Sequence, residues 1–408
     1  MKIVSFIGLG KLGLPLAGLL AERNKVLCID KNEFVLSELS DGRLPFYEFG
    51  LKNLLEKVSE NMIGYTDSYA TAINETDAAI ILVNTQLGNC GYSPDFVKSA
   101  ISDLAINLKK SNKEYYTIIL SSTVLPGTIF GELIPLVEKI SGRKYGEGFG
   151  FSYVPDFVKL GSVIHDFRNP EFFVIGANNE KDYEITKDIF SEIHKNNCKK
   201  FRLTLEETEV AKVALNAYIV NKIAFANFLG MMCDEMGNVD IHNITDVIGL
   251  DRRISPYFFK SGTPYGGTCF PRDASAFIKF AKDRNMQAKN LIFAEEVNQN
   301  LQKRIFEKCE SYDKVGILGV SFKPTSPVTI GSPSKTLIRD LLKKGKQIYT
   351  YDKLEKTYNN FELETNICET AQECVNRSEL VVIMHPDKDF ANVDYGMVDV
   401  VDFWGVLK

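Results

Sequence analysis

The segment Gly266-Gly267-Thr268-Cys269-Phe270-Pro271-Arg272-Asp273 holds the densest set of reactive residue types in this chain. Cysteine attacks as its thiolate, and a nearby cation such as Arg272 favours that form. The two glycines before the thiol let backbone approach a ligand. A free cysteine is more often a buried hydrophobe than a nucleophile. A plain core position, however, needs neither the Gly-Gly before Cys269 nor the Pro-Arg-Asp after it. Lys212 and Asn216 stand four residues apart in a helix-forming stretch, so they share a helix face. An amine among Val213, Ala214 and Leu215 could serve as acid, base or partner to a developing oxyanion. A surface lysine snorkelling past apolar neighbours has the same local pattern.

A second constellation opens the chain. Gly8-x-Gly10-x-x-Gly13 lies between a predicted strand, Lys2–Ile7, and a predicted helix, Leu14–Glu22. In that context the motif reads as a dinucleotide cradle. The turn of Gly8, Gly10, Lys11, Leu12 and Gly13 lets a pyrophosphate approach the backbone, and the helix N-terminus supplies N–H donors. Asp30 closes the next strand, about 20 residues on, where a carboxylate binds a ribose diol and repels a 2′-phosphate. The expected cofactor is therefore NAD rather than NADP. Asn84-Thr85-Gln86 and Ser121-Ser122-Thr123 also close predicted strands, where ligands of open α/β sheets bind. Capping or turn roles suit isolated Ser and Thr equally well. Lys323, in Phe322-Lys323-Pro324, could meet a phosphate or could be a solvated loop residue.

These residues need a scaffold, and its outline is legible. Strands are predicted at Val26–Ile29, Ala78–Val83, Thr117–Leu120 and Phe172–Ile175. Glu206 to Glu235 contains no proline and reads as one long helix, buried by Val213, Leu215, Ile219, Ile223, Phe225 and Phe228; another begins near His242. The opening order then returns: strand 314–320 into a glycine turn, helix 332–344, strand 347–351 ending in Asp352, and strands at 380–384 and 398–401. The fold class is α/β: two Rossmann-like, doubly wound parallel-sheet domains joined by a central helical domain. We divide the chain at 1–203, 204–300 and 301–408.

Bulk properties narrow the function. The 408 residues carry a net charge of −5, which speaks against a nucleic-acid partner. The eight cysteines form no Cys-x-x-Cys pair and only four histidines are present, so no metal site is expected. Unpaired thiols suit a cytoplasmic protein. No stretch reads as a membrane span, and Lys11 and the glycines interrupt the faintly signal-like start.

The motifs GLGKLGLPLA, SSTVLPGT, VPDFVKLGSVIHDF, EVAKVALNAY, GLDRRI, YGGTCFPRD and SFKP stand in this order. The set resembles the UDP-glucose/GDP-mannose dehydrogenase family over nearly the whole chain. The resemblance implies an NAD-binding domain, a central dimerisation domain and a nucleotide-sugar domain, with a homodimer formed through the central helices. It implies oxidation of the C6 primary alcohol of a nucleotide sugar to the uronate, with two NAD used per turnover. By the same resemblance Cys269 is the nucleophile. Lys212 and Asn216 handle the oxyanion and water, and Asp273 helps position the hydrolytic water, with Thr123 nearby. Asp156 contacts substrate where the family usually has Glu, and Arg253 reaches a neighbouring subunit's substrate. Lys260 to Gly266, including Tyr265, forms the substrate loop, with Phe322 and Lys323 on its far side. Asn84, Thr85, Ser122, Thr123 and Arg272 join the glycine turn and Asp30 around the cofactor.

Four positions depart from the family pattern: Gln86 for Pro, Leu160 for Glu, Ile330 for Arg and Trp404 for Arg. They bear on which sugar and nucleotide are bound. Two other functions fit parts of the sequence. A two-electron β-hydroxyacid dehydrogenase shares the Rossmann unit and the Lys…Asn helix, but needs neither Cys269 nor residues 313–408. A non-catalytic nucleotide-sugar-binding homologue would accommodate the departures.

Overall fold

The computed structural model describes every residue except Met1, Asn89, Cys90, Leu160, Glu192 and Asn360; the Leu160 departure thus lies outside the described residues. The chain forms two compact units, Met1–Ala214 and Leu215–Lys408.

The first unit is built on β1 (Ile3–Ile7), β2 (Lys25–Ile29), β3 (Met62–Thr66) and β4 (Ala78–Ile81). A small antiparallel hairpin, β5 (Gln86–Gly88) and β6 (Gly91–Ser93), follows. Then come β7 (Thr117–Leu120), β8 (Gly150–Tyr153), β9 (Phe172–Gly176) and β10 (Lys199–Leu203). The main sheet runs β10-β9-β8-β7-β4-β1-β2-β3. Strands β1, β2, β3, β4, β7 and β8 are parallel, whereas β9 pairs antiparallel to β8 through Tyr153 and Gly176. Both faces are covered. Val4 and Phe6 of β1 join one apolar cluster, and Ile7 joins the other. Such two-sided burial explains why these strands read as continuous apolar runs. The helix Gly13–Leu20 is buried at every residue, as its composition demands.

The second unit contains β11 (Lys314–Leu318), β12 (Gln347–Tyr351), β13 (Asn366–Ile367), β14 (Leu380–Ile383) and β15 (Asp399–Asp402). They form one parallel sheet, ordered β13-β12-β11-β14-β15. Beside it stands a helical core in which Ala217, Val220, Ala224, Ala274, Leu291, Ala294 and Val297 pack together. Its helices are Ile241–Gly249, Phe270–Lys282, Lys289–Cys309 and the later part of the 32-residue helix Leu205–Met236.

The long helix matches its predicted span, but its predicted burial needs correction. Of the six apolar residues expected inside, Val213 is fully buried and Leu215, Ile219, Ile223 and Phe228 are half-buried. Phe225 is exposed, together with Tyr218, Met232 and Met236. A helix apolar on more than one side exceeds what a single core face can cover. By length and composition alone this helix could also cross a bilayer, contrary to the sequence reading. Its polar side chains are bound within the protein: Lys212 to Asp156, Asn216 to Asp273, and Lys222 to three backbone carbonyls. They tie this helix to the protein's own loops.

Candidate active site

The three glycines of the opening turn have three different surroundings. A Cβ on Gly8, which has φ +99°, would lie 2.3 Å from the Leu82 carbonyl oxygen. A Cβ on Gly13 would lie 1.9 Å from the Gly8 carbonyl oxygen. Gly10 faces open space, with nothing within 4 Å of such an atom. The outer glycines thus close the turn and seat the helix, and the middle one leaves room for a ligand. No side chain caps the N-terminus of the following helix; the Leu14 N–H donates to the Gly10 carbonyl at 3.1 Å and Pro15 has no N–H, so an anion there would meet the turn before Leu14. At the end of β2, Asp30 accepts the Leu9 N–H at 2.7 Å through Oδ2 and the Asn32 N–H at 2.8 Å through Oδ1. These residues fit the pyrophosphate and ribose of a dinucleotide. Lys11 is exposed and Leu12 half-buried beside them.

Beyond the neighbouring strands lie the other residues expected near a cofactor. Asn84 is exposed, and Thr85 is buried. Ser122 is spent on structure: its hydroxyl accepts the Val83 N–H and donates to the Val83 carbonyl, both at 2.8 Å. It latches the end of β7 to that of β4. Thr123 follows, 7% exposed.

Lys212 is not a snorkelling surface residue. Its side chain is 7% exposed, and Nζ donates to Asp156 Oδ1 at 2.8 Å and also to the Asp156 carbonyl. The amine lies 5.0 Å from the centre of the Phe157 ring. One turn earlier, Glu209 is fully buried; burial pushes its carboxyl up to about 7, although two backbone N–H groups bind it.

The second unit holds the thiol. Cys269 is the N-cap residue of the helix Phe270–Lys282 and is exposed. The other free cysteines among the described residues, including Cys28, Cys233 and Cys309, are buried. A helix N-terminus stabilises negative charge, which an attacking sulfur must carry. One turn on, the Asp273 N–H donates to the Cys269 carbonyl at 2.8 Å. The Asp273 carboxylate is fully buried and accepts from Asn216 Nδ2 at 2.5 Å and from Arg272 Nε at 3.0 Å. Thr268 Oγ1 lies 3.6 Å from the sulfur.

The loop leading to the thiol is held from several sides. The Gly262 N–H donates to Asn227 Oδ1 at 2.9 Å, and the Tyr265 N–H to Asn298 Oδ1 at 2.7 Å. Thr263 Oγ1 and Trp404 Nε1 both donate to the Met384 carbonyl. Trp404 covers Gly262, where a Cβ would come within 2.5 Å of the indole. The glycines have matching reasons: a Cβ on Gly266 would meet the Gly331 carbonyl oxygen at 2.3 Å, and one on Gly267 the Phe322 ring at 2.8 Å. Tyr265 places its ring in the helical core, so its backbone rather than its phenol shapes the loop. Lys260 reaches Asp246 at 3.4 Å, and Lys323 lies 5.6 Å from the Phe322 ring. Arg253 is exposed, its guanidinium held by Asp251. Its loop is gripped by Lys222, whose Nζ donates to the carbonyls of Ile254, Ser255 and Tyr257.

Sequence reasoning missed Glu209, Lys222, Asn227 and Asn298 as organisers of these loops. For Glu209, Lys222 and Asn227 the available signal was a polar side chain among apolar neighbours on one helix, a position that needs a partner once buried; Asn298 lies on a largely polar helix and gave no such signal.

Profiles of one family match successive parts of the chain. They are the UDP-glucose/GDP-mannose dehydrogenase NAD binding domain over residues 1–194, its central domain over 206–300 and its UDP binding domain over 316–407. The chain belongs to this family. A UDP-glucose 6-dehydrogenase of Bacillus subtilis is 32% identical over 362 residues, which cover 86% of this chain and 76% of that one. A GDP-mannose 6-dehydrogenase of Pseudomonas putida is 30% identical over 358 residues, covering 86% and 80%. The structure of a UDP-glucose dehydrogenase from Pyrobaculum islandicum superposes with a TM-score of 0.92 at 28% identity, covering 99% of this chain and 94% of that one. The family member described here is an NAD-dependent nucleotide-sugar dehydrogenase. Relatives named for UDP-glucose and for GDP-mannose stand at nearly equal identity, so likeness alone does not choose the base.

For such an enzyme Asp30 has a testable role. Asp30→Ala should weaken NAD binding roughly ten- to a hundred-fold, the range of a lost charge-assisted hydrogen bond. It should also narrow the gap between NAD and NADP. Fluorescence titration with both cofactors checks this, and wild-type protein that binds NADP as well as NAD would refute it.

Proposed function

We propose that this chain oxidises the C6 primary alcohol of a UDP-hexose, UDP-glucose or a UDP-N-acetylhexosamine, to the uronate through a thioester on Cys269. The observation that carries the reading is the exposed thiol at a helix N-terminus, one turn from the buried Asp273 carboxylate, which Asn216 and Arg272 hold. When bound, NAD supplies the hydride acceptor for both oxidations, two per turnover. The Cys269 thiolate attacks the C6 aldehyde and forms a thiohemiacetal, which holds the aldehyde in place between the oxidations. Loss of a hydride from C6 and of the hydroxyl proton turns the thiohemiacetal into the thioester; water then releases the acid and restores the thiol. Lys212 stabilises negative charge developing on oxygen. Asn216 and Asp273 hold the hydrolytic water, with Thr123 assisting. Asp156, Arg253, the loop Lys260–Gly266, Phe322 and Lys323 bind the substrate.

The departures bear on specificity. Ile330 is 68% exposed where the family pattern has a cation, and the Trp404 nitrogen is spent on Met384. We expect a preference other than tight, selective use of UDP-glucose. A panel of UDP- and GDP-sugars, scored for NADH released per sugar consumed, tests the whole reading. Two NADH and one uronate are expected. One NADH with free aldehyde as the main product would support the two-electron alternative, and none the non-catalytic one.

We also propose the division at 1–203, 204–300 and 301–408, a cytoplasmic location suited to the unpaired buried thiols, and a homodimer through the central helices. Tyr218, Phe225 and Met232, spaced seven apart, form an exposed apolar stripe, and Val247 and Leu250 are also exposed. Stripes of this kind mark association surfaces. Phe225→Asp should shift the mass in sedimentation equilibrium from dimer to monomer. A wild-type monomer at micromolar concentration would overturn the assembly.

A further inference from the structure

We infer that Glu209 is a positioning residue for the reaction, setting the Thr123 loop relative to Lys212. The inference rests on the function proposed above for Thr123 and Lys212. Glu209 lies in the first turns of the long helix and is fully buried. Among the described residues no salt bridge reaches it. Its carboxylate binds backbone instead: Oε2 accepts the Gly127 N–H and Oε1 the Ile129 N–H, both at 2.8 Å. These donors open the helical segment that begins at Ile129. Thr128 occupies that segment's N-cap position, yet its side chain makes no capping hydrogen bond. The cap comes instead from a carboxylate 80 residues away in sequence.

A buried carboxyl without a counter-ion is a costly way to cap a helix when a local hydroxyl stands at the position. What the long-range cap adds is a tether. The loop from Ser121 to Pro126 is latched at one end by Ser122 to Val83 and at the other by Glu209. Thr123 lies between the two latches. Three residues after Glu209, on a neighbouring part of the same helix surface, Lys212 ties down the loop after β8 through Asp156. Two adjacent turns of one helix thus fix the loops after two adjacent strands. Misplacing a reacting group by about 1 Å can cost about a hundred-fold in rate, so the register of these loops matters to chemistry and not only to folding.

A double-mutant cycle tests the assignment. Glu209→Ala should lower kcat about 10- to 100-fold and raise the Kd for NAD no more than Thr123→Ala does, because it acts through that loop and not through the glycine turn. In a Thr123→Ala background the same change should lower kcat by less than about three-fold. Glu209→Gln, which keeps one acceptor oxygen, should fall between wild type and alanine; it carries the cycle if the alanine variant does not fold. Equal losses in the two backgrounds would overturn the inference, as would an unchanged kcat in folded protein. Amide hydrogen exchange gives a readout that needs no activity. In Glu209→Gln exchange should rise at least about ten-fold at one of Gly127 and Ile129, the amide left facing the new NH2 group, while the helix around Lys212 stays protected. If wild type reduces no NAD with any sugar nucleotide, the proposed function fails. Unchanged exchange at those two amides would show separately that the tether is wrong.

Discussion

Cys269→Ala is expected to stop acid formation, lowering uronate production by more than about 10³-fold, while NAD still binds. Loss of a covalent nucleophile acts on at least that scale. The glycine turn and Asp30 lie in the other compact unit and make no use of the thiol. Cys269→Ser is the sharper experiment. A serine oxygen can take the sulfur's place in the acyl intermediate, but an oxygen ester hydrolyses far more slowly at neutral pH than a thioester. The serine variant should therefore accumulate a sugar ester, seen by mass spectrometry as an adduct on residue 269. In wild type, iodoacetamide should label Cys269 well before Cys28 or Cys233. Cys28 is wholly buried, and burial pushes its thiol far above the usual range. Sugar nucleotide should protect the thiol. Wild-type rates of acid formation in Cys269→Ala would end the case for covalent catalysis and return the chain to the two-electron class.

Lys212→Ala should lower kcat about 10²- to 10³-fold, the range seen when one stabiliser of a developing oxyanion is removed. It should also cost stability. Lys212 and Asp156 form a largely buried pair, with side chains 7% and 13% exposed. Removing one partner leaves the other charge buried alone, a loss of about 3–5 kcal/mol. The two effects separate in the Lys212→Ala/Asp156→Asn double variant, where the uncompensated charge is gone. Thermal unfolding should recover most of the lost stability there, and kcat should stay low. If kcat recovered with Tm, Lys212 would be a structural residue and the oxyanion role would fall.

The sheet cores were readable because strands buried on both faces need unbroken apolar runs. Ala78–Ile81 and Leu380–Ile383 are of this kind. The strands that escaped notice lack that signal. Lys199–Leu203 sits on one sheet edge with three cations in five residues, and Met62–Thr66 sits on the other. An edge strand pairs on one side only and tolerates charge. Gly150–Tyr153 is short and opens with glycine. That glycine has a tertiary cause: a Cβ there would meet the Asp182 carboxylate at 1.6 Å. The reversed pairing of Phe172–Gly176 had no sequence signature at all.

By itself the sequence determined the chemistry's vocabulary: the glycine turn with Asp30, the Lys212–Asn216 helix face, and a cysteine between Gly-Gly and Pro-Arg-Asp. These are local, because turn geometry, helix spacing and flanking residues act over a few positions. Only the tertiary structure decided which side chains are spent on scaffolding. Ser122 is committed to Val83, Tyr265 to the helical core, Trp404 to Met384 and Gly262. It also turned Phe225 outward and Lys212 inward, although both sit among apolar neighbours on one helix. Burial is set by what packs against a helix from far along the chain, and no short-range pattern encodes that partner.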